Sequence, residues 1–400
     1  MSPRLRRSRG VPAGGRTPGA SDTPGASNAP EPPAASEDVH ADTPAAPGGP
    51  VPSGPPPVGR SRLRPAALAT AAALLAATLL AGVLVGAASL PAGGVLKALA
   101  DRLPFVDVDS GLGVVEENVL FELRVPRALM AALVGGMLAM AGAGYQGVFR
   151  NPLADPYLLG AAAGAGVGAT TVIVLTPGDP GYAVPLAAFA GAVLGVFLAY
   201  VLGTTAGRGT GTATLVLAGV AVASFLASVQ TFLQQVKAQE LYRIFAWLLG
   251  GVGSADWRQL ALVAPYALVS TVVLLAHGRL LDVLSVGDEE ASALGVRAAR
   301  VRLTVLAAAS LATACAVAVS GLIGFVGIVV PHVVRRLAGG SYRAVLPLSL
   351  LGGAAFLGLA DLVARTVIEP AELPLGVVTA FVGGPFFVVV LRASRRQVET

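Results

Sequence analysis

Histidine, cysteine and lysine do much of the covalent, acid–base and metal chemistry of proteins, and this 400-residue chain has few of them. The histidines are His40, His277 and His332, far apart in sequence. His332, in "VPHVVRR", invites a metal-ligand role, but a lone imidazole lacks companion ligands. Cys315 is the one cysteine and lies inside an apolar run, which excludes an intrachain disulfide and a thiolate metal cluster. The lysines are Lys97 and Lys237, and neither closes a G-x-x-x-x-G-K-[ST] loop. The chain therefore carries no nucleotide-binding P-loop of its own. Nothing resembles a paired catalytic constellation, so an intramembrane enzyme finds no support.

The chemistry that remains is ionic. In "LSVGDEEASALGVRAARVRL" (284–303), Ser285 with Asp288 three residues on resembles a helix-capping pattern. Asp288, Glu289 and Glu290 then fall in a first helical turn, where negative charge suits the dipole. Gly295 stops that short helix, and Arg297, Arg300 and Arg302 begin the next segment. Two readings stand: a solvated connecting loop, or a rigid surface knob that fits a partner's cleft. A second group is Arg124 and Arg127, in "RVPRALMAALVGG", with Arg365, in "ADLVARTV". These are either interface anchors that snorkel or a docking site for an acidic partner. Gln146 and Asp361 lie at the edges of apolar segments, where helix-to-helix hydrogen bonding is their expected role.

The elements that must position these residues are apolar. Hydrophobic residues make up 54% of the chain and charged residues 13%, against roughly 25% charged in soluble domains. The basic residues punctuate apolar runs rather than cluster on a polar face, which excludes a nucleic-acid binder. Residues 1–62 are rich in Pro, Gly, Ala and Ser and cannot bury enough surface to order themselves, so a disordered cytoplasmic tail is expected there. "RLRR" near the start is not a twin-arginine signal, because no apolar segment follows it before Pro65.

From Pro65 the pattern predicts spans at about 65–90, 127–147, 157–175, 182–203, 213–235, 257–281, 301–320, 322–338, 344–365 and 374–392. That makes ten transmembrane helices, since a bilayer core needs about 20 apolar residues per helix and accepts about 17. The span at 322–338 is short, contains Pro331 and ends in Arg335 and Arg336. An even number puts both termini on one side. Arginines around the loops near 279–302 and 335–343, and after 392, set that side as cytoplasmic. Arg124, Arg127 and Arg365 then face outward. Small residues in "GGMLAMAGAG" and "GAAAGAGVGA" suit a tight helix bundle.

Several stretches together resemble one family. "RVPRALMAALVGGMLAMAGAGYQGVFRNPLADPYLLG" (124–160) is similar to the second-helix region of the FecCD-type permeases, the transmembrane subunits of iron-siderophore, haem and cobalamin importers. "LVLAGVAVAS" (215–224), "WLLGGVGSADW" (247–257), "SVGDEEASALGV" (285–296), "GLIGFVGIVVPHVVRRL" (321–337) and "AELPLGVVTAFVGGPFFVVVLR" (371–392) resemble the same family in the same order. The resemblance spans roughly 65–395 and omits the tail.

The resemblance implies an all-α polytopic membrane protein with the ten-helix fold of type II ABC importer permeases. The permease domain would occupy 63–396, with cytoplasmic coupling helices at about 285–297. It would sit in a bacterial cell membrane and pair with a second permease subunit, the same or similar. Two cytoplasmic ATPase subunits would use ATP and Mg, and an extracellular or periplasmic substrate-binding protein would deliver cargo. By matching motif, Gly287, Asp288, Glu289, Glu290, Ala291, Leu294 and Gly295 would sit in the ATPase groove. Arg124, Arg127 and Arg365 would receive acidic residues of the binding protein. Asn151 and Leu153 would form a cytoplasmic gate, held by a turn that Pro152 and Pro156 stiffen, Pro156 beginning the next helix. Thr212 would be a second gate element, followed by Ala213 where a related permease carries a hydroxyl residue, which leaves that gate's polarity open.

The implied activity is import of a ferric siderophore or related metal chelate by alternating access, with cobalamin or haem as alternatives. An ion-coupled secondary transporter, the reading from another class, needs buried carboxylates near mid-membrane. The predicted mid-spans hold none.

Overall fold

A computed structural model describes residues 63–396 apart from 87, 177, 179, 206–211 and 369–370. The tail at 1–62, expected to be disordered, lies outside the described residues. Every regular element among those described is helical. In chain order they are α1 (Pro65–Leu84), α2 (Ala92–Asp101), α3 (Val114–Asn118), α4 (Val125–Phe149), α5 (Ala161–Leu175), α6 (Ala183–Thr205), α7 (Thr212–Val236) and α8 (Leu241–Leu248). There follow α9 (Trp257–Ala276), α10 (Gly278–Val286), α11 (Asp288–Ala293), α12 (Ala298–Ser320), α13 (Val326–Ala338), α14 (Tyr342–Thr366) and α15 (Leu375–Arg396).

The expected count of ten spans is met for seven. Among the described residues, α1, α6, α7, α9, α12, α14 and a continuous helix Val114–Phe149 are long and apolar enough to cross a membrane. Two of the other three expected spans correspond to shorter helices. At 1.5 Å per residue, the 13 residues of α13 reach only about 20 Å, short of the ~30 Å hydrocarbon core. The 15 residues of α5 also fall below the length for a full crossing, whereas the 22 residues of α15, apolar over Leu375–Val390, reach about 33 Å.

Two expected boundaries move for local reasons. The span at 257–281 is two helices, because α9 ends at Ala276 and His277 turns the chain into α10. The span at 157–175 begins with a 3-10 turn, Pro156–Leu159, after which Gly160 takes φ +79 and admits α5. Pro156 does open that turn, and Asp155 caps it by accepting from the Tyr157 N–H at 2.7 Å. The short amphipathic helices α2 and α8 carried no span-length signal and were not anticipated.

α4 is the hub. Twenty of its 25 residues are buried, against three of the 20 in α1 at the bundle's edge. Its packing against α14, α12, α13 and α9 depends on lack of side chain. A Cβ on Gly135 would run into the Gly353 carbonyl of α14, and a Cβ on Gly353 into the Gly135 carbonyl. Gly164 of α5 and Gly191 of α6 make the same reciprocal approach. In an apolar solvent, where apolar side chains gain little by meeting each other, such close approach gives the dispersion that holds helices together.

Candidate functional site

α4 carries a polar cluster at each end, about 37 Å apart by its 25 residues. At the first end Arg127 binds two carboxylates. Its Nη2 donates to Asp361 Oδ1 at 2.8 Å, and its Nη1 to Glu372 Oε1 at 2.7 Å. Asp361 comes from α14, and Glu372 from the α14–α15 connection. Arg365, one turn after Asp361, donates from Nη2 to Gly82 O at 2.7 Å, with its Nε 3.6 Å from Asp361 Oδ2. Arg124 donates to Val83 O and Leu84 O, each at 3.0 Å, and to Ala88 O. The last carbonyls of α1 have no intrahelical donor, and these two guanidiniums supply it.

The sequence suggests three arginines open on an outer rim; the structure differs. Arg124 is 5% exposed and Arg365 6%, because both are drawn onto the α1 terminus. Arg127 keeps modest access at a cavity of about 620 Å³, lined also by Asp361, Glu372, Tyr242, Trp247 and Ser320. The hydrogen bond from Arg127 holds the Glu372 carboxyl below the usual range, more than burial raises it. Glu372 was missed in the sequence because no periodicity connects it to Arg127, 245 residues away.

The acidic loop lies at the other end of α4. Ser285 does not cap α11: α10 runs through it, and its Oγ donates to Asp282 O at 2.6 Å. Gly287 instead stands at the N-cap position, and α11 begins at Asp288. Gly295 does end the short helix, at φ +76, with its N–H on Ser292 O. Ala291 is buried against the bundle, while Glu289, Glu290 and Leu294 are exposed. Asp288 accepts from Arg302 of α12 at 2.6 Å and from Arg150. Burial opposes ionisation of Asp288, but Arg302 and then Arg150 outweigh it and hold its carboxyl below the ordinary value.

Arg150 follows α4 directly, in the left-handed region at φ +49. Next to it, Asn151 is exposed and its Oδ1 accepts from the Leu153 N–H at 2.9 Å, closing a tight turn. Leu153 is half-buried. Gln146, one turn earlier, donates to Gly327 O of α13 at 3.0 Å and accepts from Arg335. Asp282 of α10 accepts from Ser341 Oγ at 2.7 Å and from the Tyr342 N–H at 2.5 Å, bracing α10 against α14. Thr212 opens α7 and Ala213 follows it, exposed. α7 packs on the turn after the Asn151 loop, with Gly219 against the Leu158 carbonyl.

His332 meets Phe386 edge-on, with centroids 5.5 Å apart. Among the described residues no three of His, Cys, Asp and Glu gather as a metal site.

The model of the FecCD transport family matches residues 74–393. A cobalamin import system permease protein, BtuC, of Halobacterium salinarum is 44% identical over 271 residues, 68% of this chain and 72% of that protein. The Fe(3+) dicitrate transport system permease protein FecD of Escherichia coli K12 is 39% identical over 277 residues, 69% of this chain and 86% of that protein. Among solved structures, an inward-facing metal-chelate type ABC transporter matches with a TM-score of 0.72 and 30% identity, covering 82% of this chain and all of that one.

Proposed function

The chain belongs to the FecCD transport family, and on that premise we propose that it is the permease subunit of an ATP-driven importer that moves a metal chelate inward by alternating access. The observation that carries the mechanism is α11. Its backbone is braced by Asp288 and Ala291, yet Leu294 is 71% exposed and Val286 65% exposed beside Glu289 and Glu290. Apolar side chains at the ends of an acidic helix, away from the apolar spans, suit burial in a partner's groove. Residues Gly287 to Gly295 are the ATPase contact in this reading, and the partner subunits supply the ATP and Mg chemistry.

The Arg150 end of α4 then faces the cytoplasm, with both chain termini on that side. The Arg127 end faces outward and receives the substrate-binding protein. Glu372, 48% exposed at its side chain, occupies donors that an incoming carboxylate takes from Arg127. Docking outside and ATPase closure inside bias one two-state bundle. Asn151, Leu153, Thr212 and Ala213 form the inner gate. A second permease chain completes the path, and residues 63–396 are the permease domain. The first cargo to test is a ferric siderophore, since relatives are named for iron-dicitrate and cobalamin import.

Reconstitution with the ATPase and binding protein in vesicles tests this. ATP-dependent accumulation of radiolabelled ferric siderophore is expected; cobalamin or haem accumulation instead reassigns the cargo only. Uptake in vesicles lacking any ATPase overturns the mechanism in favour of ion coupling, and labelling of a cysteine at position 290 from outside overturns the orientation.

A further inference from the structure

Arg150 lies between the acidic helix and the turn after α4. Its Nε donates to Leu284 O at 2.8 Å, in the last turn of α10, and its Nη2 bonds Asp288, the first residue of α11. One guanidinium therefore bridges the break at Gly287 and grips both sides of it. Arg302 fixes Asp288 from α12 at 2.6 Å, so the carboxylate is held between two cations. The Arg150 backbone is itself set: its N–H caps α4 on Gln146 O, in a left-handed conformation uncommon for a residue with a side chain. The next residue is Asn151, whose side chain closes the turn onto Leu153. From α11 to that turn there is one ion pair, one side chain and one peptide bond.

We propose that Arg150 is a positioning residue that converts displacement of α11 into displacement of the Asn151–Leu153 turn. The inference rests on the coupling and gate roles given above and deepens them, since neither role assigns Arg150. Both members of the pair are partly exposed, Arg150 at 37% and Asp288 at 47%. Such a pair adds little to folding stability. Its loss is therefore read in the linkage between ATP and transport, not in assembly. A guanidinium can also hold two acceptors in a fixed fork, which a lysine ammonium holds less rigidly.

The test uses the assembled permease, ATPase and binding protein in vesicles, with ATP hydrolysis and radiolabelled chelate uptake measured together. Arg150→Ala is expected to assemble and hydrolyse ATP, while chelate moved per ATP falls about tenfold, within the usual range for coupling between sites. Arg150→Lys should recover part of that loss. Asp288→Asn should likewise lower the chelate moved per ATP, and in that ratio the double variant should be no worse than the poorer single one, as for two members of one link. Parental stoichiometry in Arg150→Ala, or additive losses in the double variant, overturns the proposal. So does failure of both the Ala and the Lys variants to assemble, which makes Arg150 structural only. Leu294→Glu tests the underlying reading separately: it should release the ATPase, and retained association there refutes the coupling role of α11 whatever Arg150 does.

Discussion

Arg127 and Asp361 join α4 to α14 by a forked ion pair, with Arg127 Nη2 2.8 Å and Nε 3.0 Å from Asp361 Oδ1. Asp361 is 1% exposed, so its charge is tolerable only because Arg127 and Arg365 face it. Removing it as Asp361→Ala leaves the buried Arg365 without its carboxylate neighbour and Arg127 with Glu372 alone. Breaking a buried pair from one side costs about 3–5 kcal/mol. A clear fall in melting temperature of the purified permease, by fluorescence-monitored unfolding in detergent, is expected; an unchanged value contradicts this role for the pair.

Glu372 gives a different outcome because it is half exposed. Its carboxyl is depressed in the folded state by Arg127, so its contribution is present above the unfolded value of about 4.3 and is lost as pH falls through the lower folded value. Melting temperature followed downward from pH 5 should fall further for the parent than for Glu372→Gln. The same variant frees Arg127 donors, and its association with the binding protein should be faster at low salt. Surface-binding kinetics would show no difference if Glu372 does not occupy the docking site.

Gly353→Val probes the close approach of α4 and α14. The added side chain must displace the Gly135 carbonyl and the Ala139 methyl. Overpacking typically costs about 1–3 kcal/mol, and backbone against backbone leaves little room to relax. Reduced yield and a lower melting temperature are expected, with no selective change in ATP coupling.

Gly295→Arg probes the end of α11. No atom lies within 4 Å of a Cβ there, so the strain is confined to φ +76. A side chain in that region costs about 1–2 kcal/mol, too little to unfold the bundle. Size-exclusion chromatography should show an intact permease, while uptake in a deletion strain falls well below the parent. Parental uptake would remove Gly295 from the coupling contact.

The sequence alone determined the solvent and the period of the structure. Its apolar runs, sparse charge and small-residue stretches dictate a helical membrane bundle, because backbone groups in hydrocarbon must bond within their own helix. The acidic turn ended by Gly295 and the prolines of "RNPLADP" were legible for local reasons: helix ends and tight turns are specified within a few residues. Lengths along the chain were less legible. Hydropathy does not show where His277 breaks one run into α9 and α10, nor that α13 stops at 13 residues.

Tertiary structure alone decided which charges meet. Arg127 with Glu372, Arg150 with Asp288 and Gln146 with Arg335 are each separated by more than a hundred residues. No local pattern encodes such pairs; they arise when helices pack, as where Gly135 and Gly353 let α4 and α14 close and Arg127 meets Asp361. Arg124 and Arg365 show this most directly. Their composition suggests free basic residues at an interface, and only packing beside the last carbonyls of α1 turns them into caps. An isolated charge in a low-dielectric bundle must find a partner, and which partner it finds is a property of the fold.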